Sequence, residues 1–430
     1  MHDHNRQLTT AGELNLAAAR AAQKEWSARP MHQRLRLVRE LRHLIAAAAP
    51  ELATAAAAVN QRPLAEKLVS EVLPLADACK WLERSAAGVL APRRSGNHGQ
   101  PFWLRGFSFE VHRQPFGFVL VIGPGNYPLF LPAVQALHAL AAGNAVVLKP
   151  APRTGAVAMA FAQLVYDAGF DPALFTILPE SIDAARDAIA QGVDKVIFTG
   201  SSENGSAVAE QLAPHHTPAV MELSGEDAVL VFADADIDLV VRALGFGTHL
   251  NGGETCMRPK RLIVVEAIAD ELLGRLQSLG RVEFSIERVA DEATAVARAE
   301  AHDYALGVSI FSRDVAKAQS IAPHIKSGFV LINDLIAPTA DPRLPFGGVK
   351  KSGFGVTRGD EGLLEMTFPH VVGVRRGKFY RHFDETSAGD AHIFFSYILA
   401  AHGRNGARLG AFRKLAGALT RRIRNERAPL

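Results

Sequence analysis

Cys256 stands in the segment NGGETCMRP and is one of only two cysteines in a chain of 430 residues. A structural cysteine usually sits inside an apolar run, where its thiol packs as a small, inert hydrophobe. The neighbours of Cys256 are small or polar, which suits a thiol that a substrate must reach, although local context alone leaves the packed thiol open as well. Three other segments carry residue types fit for chemistry. In VIFTGSSENG, Gly200 and Gly205 bracket a strand-to-helix turn that leaves backbone N–H groups free for a phosphate. Lys149, in AVVLKP, puts a cation at the end of an apolar strand, where a salt bridge is the plainer alternative. Asn126, in PGNYP, lies between Gly125 and Tyr127, a place an asparagine also takes for its turn chemistry alone.

The elements around these residues must bring them together. Residues 11 to 60 read as Ala-rich helices broken at Pro30 and Pro50. The stretch FSFEVHRQPFGFVLVIGPGNYP then carries two strand-like runs, the second ending in a Gly/Pro turn. A helix at PAVQALHALAAG, the strand AVVLKP, a helix around GAVAMAFAQLVYDAG, the strand LFTILP, another helix and the strand KVIFTG follow in order. Strands alternating with helices of this length predict parallel βαβ units and a doubly wound α/β sheet. Ligands of such sheets bind at the carboxyl ends of the strands. Asn126, Lys149 and Gly200 all fall at such ends.

Read together, PFGFVLVIGPGNYPLFLP, ALAAGNAVVLKPAPRT, VIFTGSSENG, VMELSGEDAVLVFADADID, NGGETC and LPFGGVKKSGFG resemble, in this order, the signature segments of the NAD(P)-dependent aldehyde dehydrogenase superfamily. The resemblance covers about residues 10 to 375. It implies that Cys256 is a nucleophile attacking an aldehyde carbon to give a thiohemiacetal. It implies that the Asn126 amide and the Cys256 N–H hold the oxyanion, and that Glu222 is the general base for hydrolysis of a thioester. Lys149 would bond the adenosine ribose of NAD or NADP, and Gly200, Ser201 and Gly205 would form the turn under its pyrophosphate. The alternative is a catalytically silent relative acting by binding or assembly. An acyl-CoA-forming enzyme of the same fold is disfavoured by Glu222, since a hydrolytic base shortens the life of a thioester.

The chain also departs from the family pattern. Gly125 replaces a tryptophan before the asparagine, and ELSGE, with Ser224 and Glu226, replaces ELGGK. Pro152, followed by Arg153, stands where a carboxylate usually follows the ribose lysine, which makes NADP plausible beside NAD. After Cys256 a long βαβ portion is missing, and Gln277 or Ser278 takes the register of the glutamate expected to hold the nicotinamide ribose. The implied fold is a doubly wound nucleotide-binding domain (1–96 and 116–222), a shortened α/β catalytic domain (223–366), a β oligomerisation arm (97–115 and 367–383) and a basic C-terminal tail (384–430).

Composition bounds the setting. Cys79 and Cys256 are too few for a disulfide framework and point to a reducing, cytoplasmic compartment, with Cys79 read as a helix-packing residue. MHDHNRQLTTAGEL has no apolar core of the secretory kind, and no apolar run nears the roughly 20 residues of a membrane span. A net charge of +3 argues against nucleic acid as a partner. None of the 16 histidines has metal-ligand spacing, and His215 with His216 reads as a surface pair. The arm's strand edges predict a homodimer. From Arg404 to about Arg424 a basic amphipathic helix, with Arg408, Arg413, Lys414, Arg421, Arg422 and Arg424 against Leu409, Phe412, Leu415, Leu419 and Ile423, either docks on the body or contacts an anionic membrane surface peripherally or a partner.

Overall fold

Five runs of apolar residues, among them FVLVI and AVVLK, form the parallel strands of the larger sheet in a computed structural model of the chain. The structure describes residues 15–96, 98–104, 106–277, 283–376, 380–383, 385–387 and 390–426. These strands are β1 (Phe118–Ile122), β2 (Ala145–Lys149), β3 (Phe175–Ile177), β4 (Lys195–Thr199) and β5 (Ala219–Glu222). In space they run β3-β2-β1-β4-β5, and the short strand Gly353–Phe354 adds antiparallel to β5. Both faces of the sheet are covered, which is why its strands are continuous apolar runs rather than alternating ones. The helix Phe130–Ala142 buries all 13 of its residues.

A second sheet follows directly in the chain. Its strands β6 (Asp227–Val231), β7 (Pro259–Val265), β8 (Ser285–Val289), β9 (Gly307–Phe311) and β10 (Phe329–Ile332) are all parallel, in the order β8-β7-β6-β9-β10. The α/β class and doubly wound topology expected from sequence are therefore the observed ones. One helix, Glu266–Leu276, carries the chain from β7 toward β8, so the connection after the cysteine is as short as the sequence indicated. Gln277 ends that helix and is exposed; Ser278 lies outside the described residues.

The N-terminal helices Leu16–Ala28, Met31–Ala47 and Ala49–Asn60 break at Pro30 and just before Pro50, and Cys79 is fully buried in the helix Leu73–Val89. Arg93–Ser95, Phe107–Pro115 and Thr367–Arg375 form a separate three-stranded sheet. All of the catalytic candidates lie in one compact unit, made of residues up to Ser95 and Phe109–Val372.

A smaller unit comprises Gly96–Ser108 and the chain from Gly373 onward. Its main feature is a hairpin of the helices Asp390–His402 and Asn405–Glu426, packed through the small residues Ala400 and Ala411, with Arg408 Nε donating to the Ala400 carbonyl at 3.0 Å. Arg427 and the side chains of Leu419, Arg421, Arg422, Ile423 and Arg424 lie outside the described ones. No described helix is long and apolar enough to cross a membrane.

Candidate active site

Glu222 is the last residue of β5, buried, and opposite Gly353 in the antiparallel register. Only glycine fits there, because its φ is +116° and a Cβ would lie 1.8 Å from the Met221 carbonyl oxygen. That close approach brings the segment 346–358 against the acid. Thr357 Oγ1 donates to Glu222 Oε1, while Thr199 Oγ1 and Gln135 Nε2 donate to Oε2 at 3.1 and 3.2 Å. Burial raises the carboxyl above its ordinary range, opposed by the Thr357 hydroxyl, the Arg358 guanidinium, Thr199 and Gln135.

Cys256 lies in the turn leading into β7 and is half-buried. Burial, with Asp227 and Glu222 nearby, pushes its thiol up to about 12, and Arg358 pulls the other way. Asp227 is itself buried, with Oδ1 unpartnered among the described residues, and burial holds its carboxyl well above the carboxylate range. Asn126 reaches this turn directly, donating from Nδ2 to the Glu254 carbonyl at 2.8 Å while its Oδ1 accepts from Tyr127 N at 3.0 Å. One of the two amide protons is thus engaged by the cysteine turn itself. Cys256, Glu222, Asn126, Arg358, Phe346 and Phe246 all line one cavity of about 720 Å³, whose wall is mainly apolar.

A buried network ties the two loops of this cavity together. Asn251, at φ +51°, donates from Nδ2 to the Asn126 carbonyl at 2.7 Å and accepts from Lys67 Nζ at 3.0 Å. Lys67 also pairs with Glu71 at 2.9 Å, both side chains being fully buried. Glu71 Oε2 in turn accepts from Leu129 N and Phe130 N at 2.7 and 3.1 Å. Glu71 lies in a π-helical turn, Leu68–Val72, a local deformation frequent at functional sites.

At the other strand ends, Ser201 caps the helix Ser202–Leu212 by accepting from Asn204 N at 3.2 Å. Gly200 lies just before it and Gly205 inside it; a Cβ on Gly205 would approach Leu223 to 2.5 Å, so the glycine lets the helix close on the turn after β5. Lys149 ends β2, is buried, and its ammonium has no hydrogen-bond or ion-pair partner among the described residues; burial lowers its pKa and Glu180 counters this. Glu180 accepts from Arg153 N and Gly155 N, both at 2.7 Å, and these two bonds hold its carboxyl below its ordinary range. An unpartnered lysine and a capped, glycine-flanked helix start fit the ribose and the phosphates of a dinucleotide.

The sequence profile of the aldehyde dehydrogenase family matches residues 8–281 and 284–372. The chain belongs to the aldehyde dehydrogenase family. Among relatives of this aldehyde dehydrogenase, a 4,4'-diapolycopene aldehyde oxidase of Methylomonas sp is 27% identical over 83% of the chain and 80% of its own length. A putative NADP(+) succinate-semialdehyde dehydrogenase of Mycobacterium ulcerans is 29% identical over 85% and 84%. An NAD-dependent aldehyde dehydrogenase structure from Sinorhizobium meliloti superposes with a TM-score of 0.78 at 26% identity, covering 85% of this chain and 87% of that one.

The structure brings Cys256, Glu222 and Asn126 to one cavity, places Lys149 at the end of β2 and Gly200 and Ser201 just after β4, and puts Gly205 inside the helix that follows. Gln277, in the expected register of the nicotinamide-ribose glutamate, is not among the residues lining that cavity. Sequence reasoning missed Thr357, Arg358, Gln135, Asn251 and Glu180. For Arg358 the available signal was a charged residue three positions after the family-like SGFG segment. For Lys67 and Glu71 the spacing of four was visible but reads as a surface helix pair. Among the described residues no cluster of acid, histidine and cysteine side chains could hold a metal.

Proposed function

We propose that this aldehyde dehydrogenase oxidises an aldehyde to its carboxylic acid with NAD or NADP, through a thioester on Cys256. The Cys256 thiolate adds to the carbonyl carbon, and the resulting oxyanion is met by the Cys256 N–H and the second amide proton of Asn126. Lys149, Ser201 and the Gly200–Gly205 turn would hold NAD or NADP, whose nicotinamide would supply the hydride acceptor for this carbon. Glu222 then takes a proton from water as its oxygen attacks the thioester, releasing the acid and the free thiol. The observation that carries this reading is that Cys256, Glu222 and Asn126, which belong to three separate segments, line one cavity. Mixing the protein with a panel of aldehydes and NAD or NADP, and following the reduced nicotinamide, tests it. Turnover that disappears in Cys256→Ala supports the reading, and intact cofactor binding with no turnover on any aldehyde supports the silent alternative.

Glu180 supports a preference for NAD. It supplies the carboxylate that Pro152 lacks, close enough to act on the Lys149 charge, and an acid there repels a 2′-phosphate.

The chain divides functionally, in this reading, into the nucleotide-binding (1–96, 116–222), catalytic (223–366), arm (97–115, 367–383) and tail (384–430) parts. Exposed Val371, Val372 and Val374 on Thr367–Arg375 support pairing of that strand in a homodimer; light scattering from a stable monomer at micromolar concentration would contradict it. Both cysteines are free, as suits a reducing cytoplasm. The helical hairpin exposes Phe394, Phe395, Ile398, Leu409 and Phe412 beside the basic residues Arg413 and Lys414. Apolar side chains flanked by cations suit shallow insertion into an anionic membrane surface, which would deliver long, apolar aldehydes to the mainly apolar cavity.

A further inference from the structure

Arg358 is a cation in the active-site cavity to which the chemistry above gives no task. It lines the same cavity as Cys256 and Glu222 and is only 3% exposed. No carboxylate bridges it among the described residues. Nη1 donates to the Thr339 carbonyl, Nε is buried without a partner among the described residues, and the guanidinium lies 4.4 Å from the ring centroid of Phe346 and 5.6 Å from that of Phe130. Aromatic faces stabilise a cation and fix its plane, but they do not neutralise it. A buried, unpaired charge is costly unless something nearby uses it.

The backbone supports the same view. Arg358 has φ +61° and ψ 171°, a region that only glycine enters without strain. Strain of this kind persists where the surroundings over-determine it. Here Gly362 N donates to the Arg358 carbonyl at 2.8 Å, and the preceding residue, Thr357, donates its hydroxyl to Glu222. The strained turn therefore points two consecutive side chains into the site, one as a hydrogen-bond donor to the acid and one as a fixed positive charge.

We propose that Arg358 is a positioning residue for the oxidation, a fixed cation that stabilises negative charge on both Cys256 and Glu222 in a cavity whose burial otherwise disfavours it. This rests on the reading of Cys256 as nucleophile and Glu222 as base. Around Cys256, Asp227 and Glu222 oppose ionisation, and Arg358 is the cation that favours it. The Tyr127 hydroxyl, held by Thr255 at 2.8 Å, also faces this thiol. Around Glu222 the hydrogen-bond donors Gln135, Thr199 and Thr357 are neutral, and Arg358 is the acting charge. In return, Glu222 and Cys256 are the groups that hold the Arg358 proton against burial, which draws the guanidinium down to about 10. His138, the other titratable group that Arg358 acts on, is fully buried with its Nδ1 2.8 Å from the Val134 carbonyl and is held down to about 4, chiefly by burial, so it stays neutral near pH 7.

The test compares Arg358→Met with Arg358→Lys, both checked for folding by circular dichroism and melting. Two quantities are read: the acid limb of kcat/KM against pH, and the rate at which iodoacetamide alkylates Cys256 at about pH 8, located by peptide mapping. Loss of the cation should move the acid limb of Arg358→Met up by about one pH unit and slow alkylation about tenfold, since one unit of pKa is tenfold in the ionised fraction. Arg358→Lys should restore most of both. A limb that stays in place while kcat/KM falls equally at every pH marks a merely structural role and overturns the proposal, as does unchanged alkylation in Arg358→Met. If Arg358→Met does not fold, Arg358→Gln carries the same comparison. Turnover that survives Cys256→Ala would instead refute the assignment of the nucleophile, a result separate from the alkylation rates.

Discussion

The side-chain amide of Asn251 donates to the main-chain oxygen of Asn126 at 2.7 Å, across 125 positions of sequence. This bond joins the turn that carries the proposed oxyanion amide to the loop that carries the cysteine, and the buried Lys67–Glu71 pair anchors it from behind. Asn251→Gly keeps a left-handed backbone available and deletes only the side chain. Misplacing a reacting group by about 1 Å can cost on the order of 100-fold in rate. Steady-state kinetics of Asn251→Gly should show kcat reduced by roughly 10- to 100-fold with KM changed much less. A rise in KM at constant kcat would place Asn251 in substrate binding instead.

Burial that raises the Glu222 carboxyl makes this acid costly to the fold. The folded chain holds the proton more tightly than the unfolded chain, so the stability from this group is present at low pH and is lost as pH rises through the raised folded value. Glu222→Gln, which cannot ionise, removes that loss. Melting curves at about pH 8 should place the variant roughly 1–4 °C above wild type, and the difference should shrink on acidification. A variant less stable at both pH values would show that the donors Thr357, Thr199 and Gln135 need a carboxylate.

Much of this site was readable from the sequence because its proposed chemistry sits in short local segments. Asn126 in PGNYP announces a strand-end turn, and the βαβ alternation shows that such ends meet, whereas Glu222 in MELSGE and Cys256 in NGGETC stood out through the resemblance of their segments to the family signatures. Arg358 was not readable, since a charged residue in a glycine-rich loop is ordinarily solvated. What turns it inward is Gly353, whose missing Cβ lets the loop close on β5. Lys67 and Glu71 were not readable for a related reason. Their spacing suits an exposed helix pair, and only tertiary packing makes them the buried support of Asn251.

The cofactor preference proposed above rests on a contact visible only in three dimensions as well. Glu180 lies 31 positions beyond Lys149 in sequence, yet its carboxylate sits on the first turn of the helix Gly155–Asp167. Titration calorimetry should show NAD binding more tightly than NADP. Glu180→Gln should strengthen NADP binding about tenfold while changing NAD binding little. Equal losses for both cofactors would reduce Glu180 to a helix cap.

The proposed binding of the hairpin to membranes is separable from catalysis. Full-length protein should co-sediment with vesicles containing anionic lipid, less so as salt rises, because the Debye length falls from about 10 Å at 0.1 M to about 3 Å at 1 M. Replacing the exposed Phe395 and Phe412 by Asp in the full chain should abolish pelleting without lowering turnover of a short, soluble aldehyde. Equal pelleting of wild type and the double variant would remove the membrane role.

The division of labour between Cys256 and Glu222 is tested most directly by rapid mixing of Glu222→Gln with aldehyde and NAD. A glutamine keeps the shape of the side chain but cannot take a proton, so the first half of the reaction should run and the second stall. The expected result is a burst of reduced nicotinamide of about one equivalent per active site, followed by a slow steady rate, with intact-protein mass spectrometry and peptide mapping placing the acyl group on Cys256. An acyl group on Cys79, or steady turnover that survives Cys256→Ala, would contradict the mechanism.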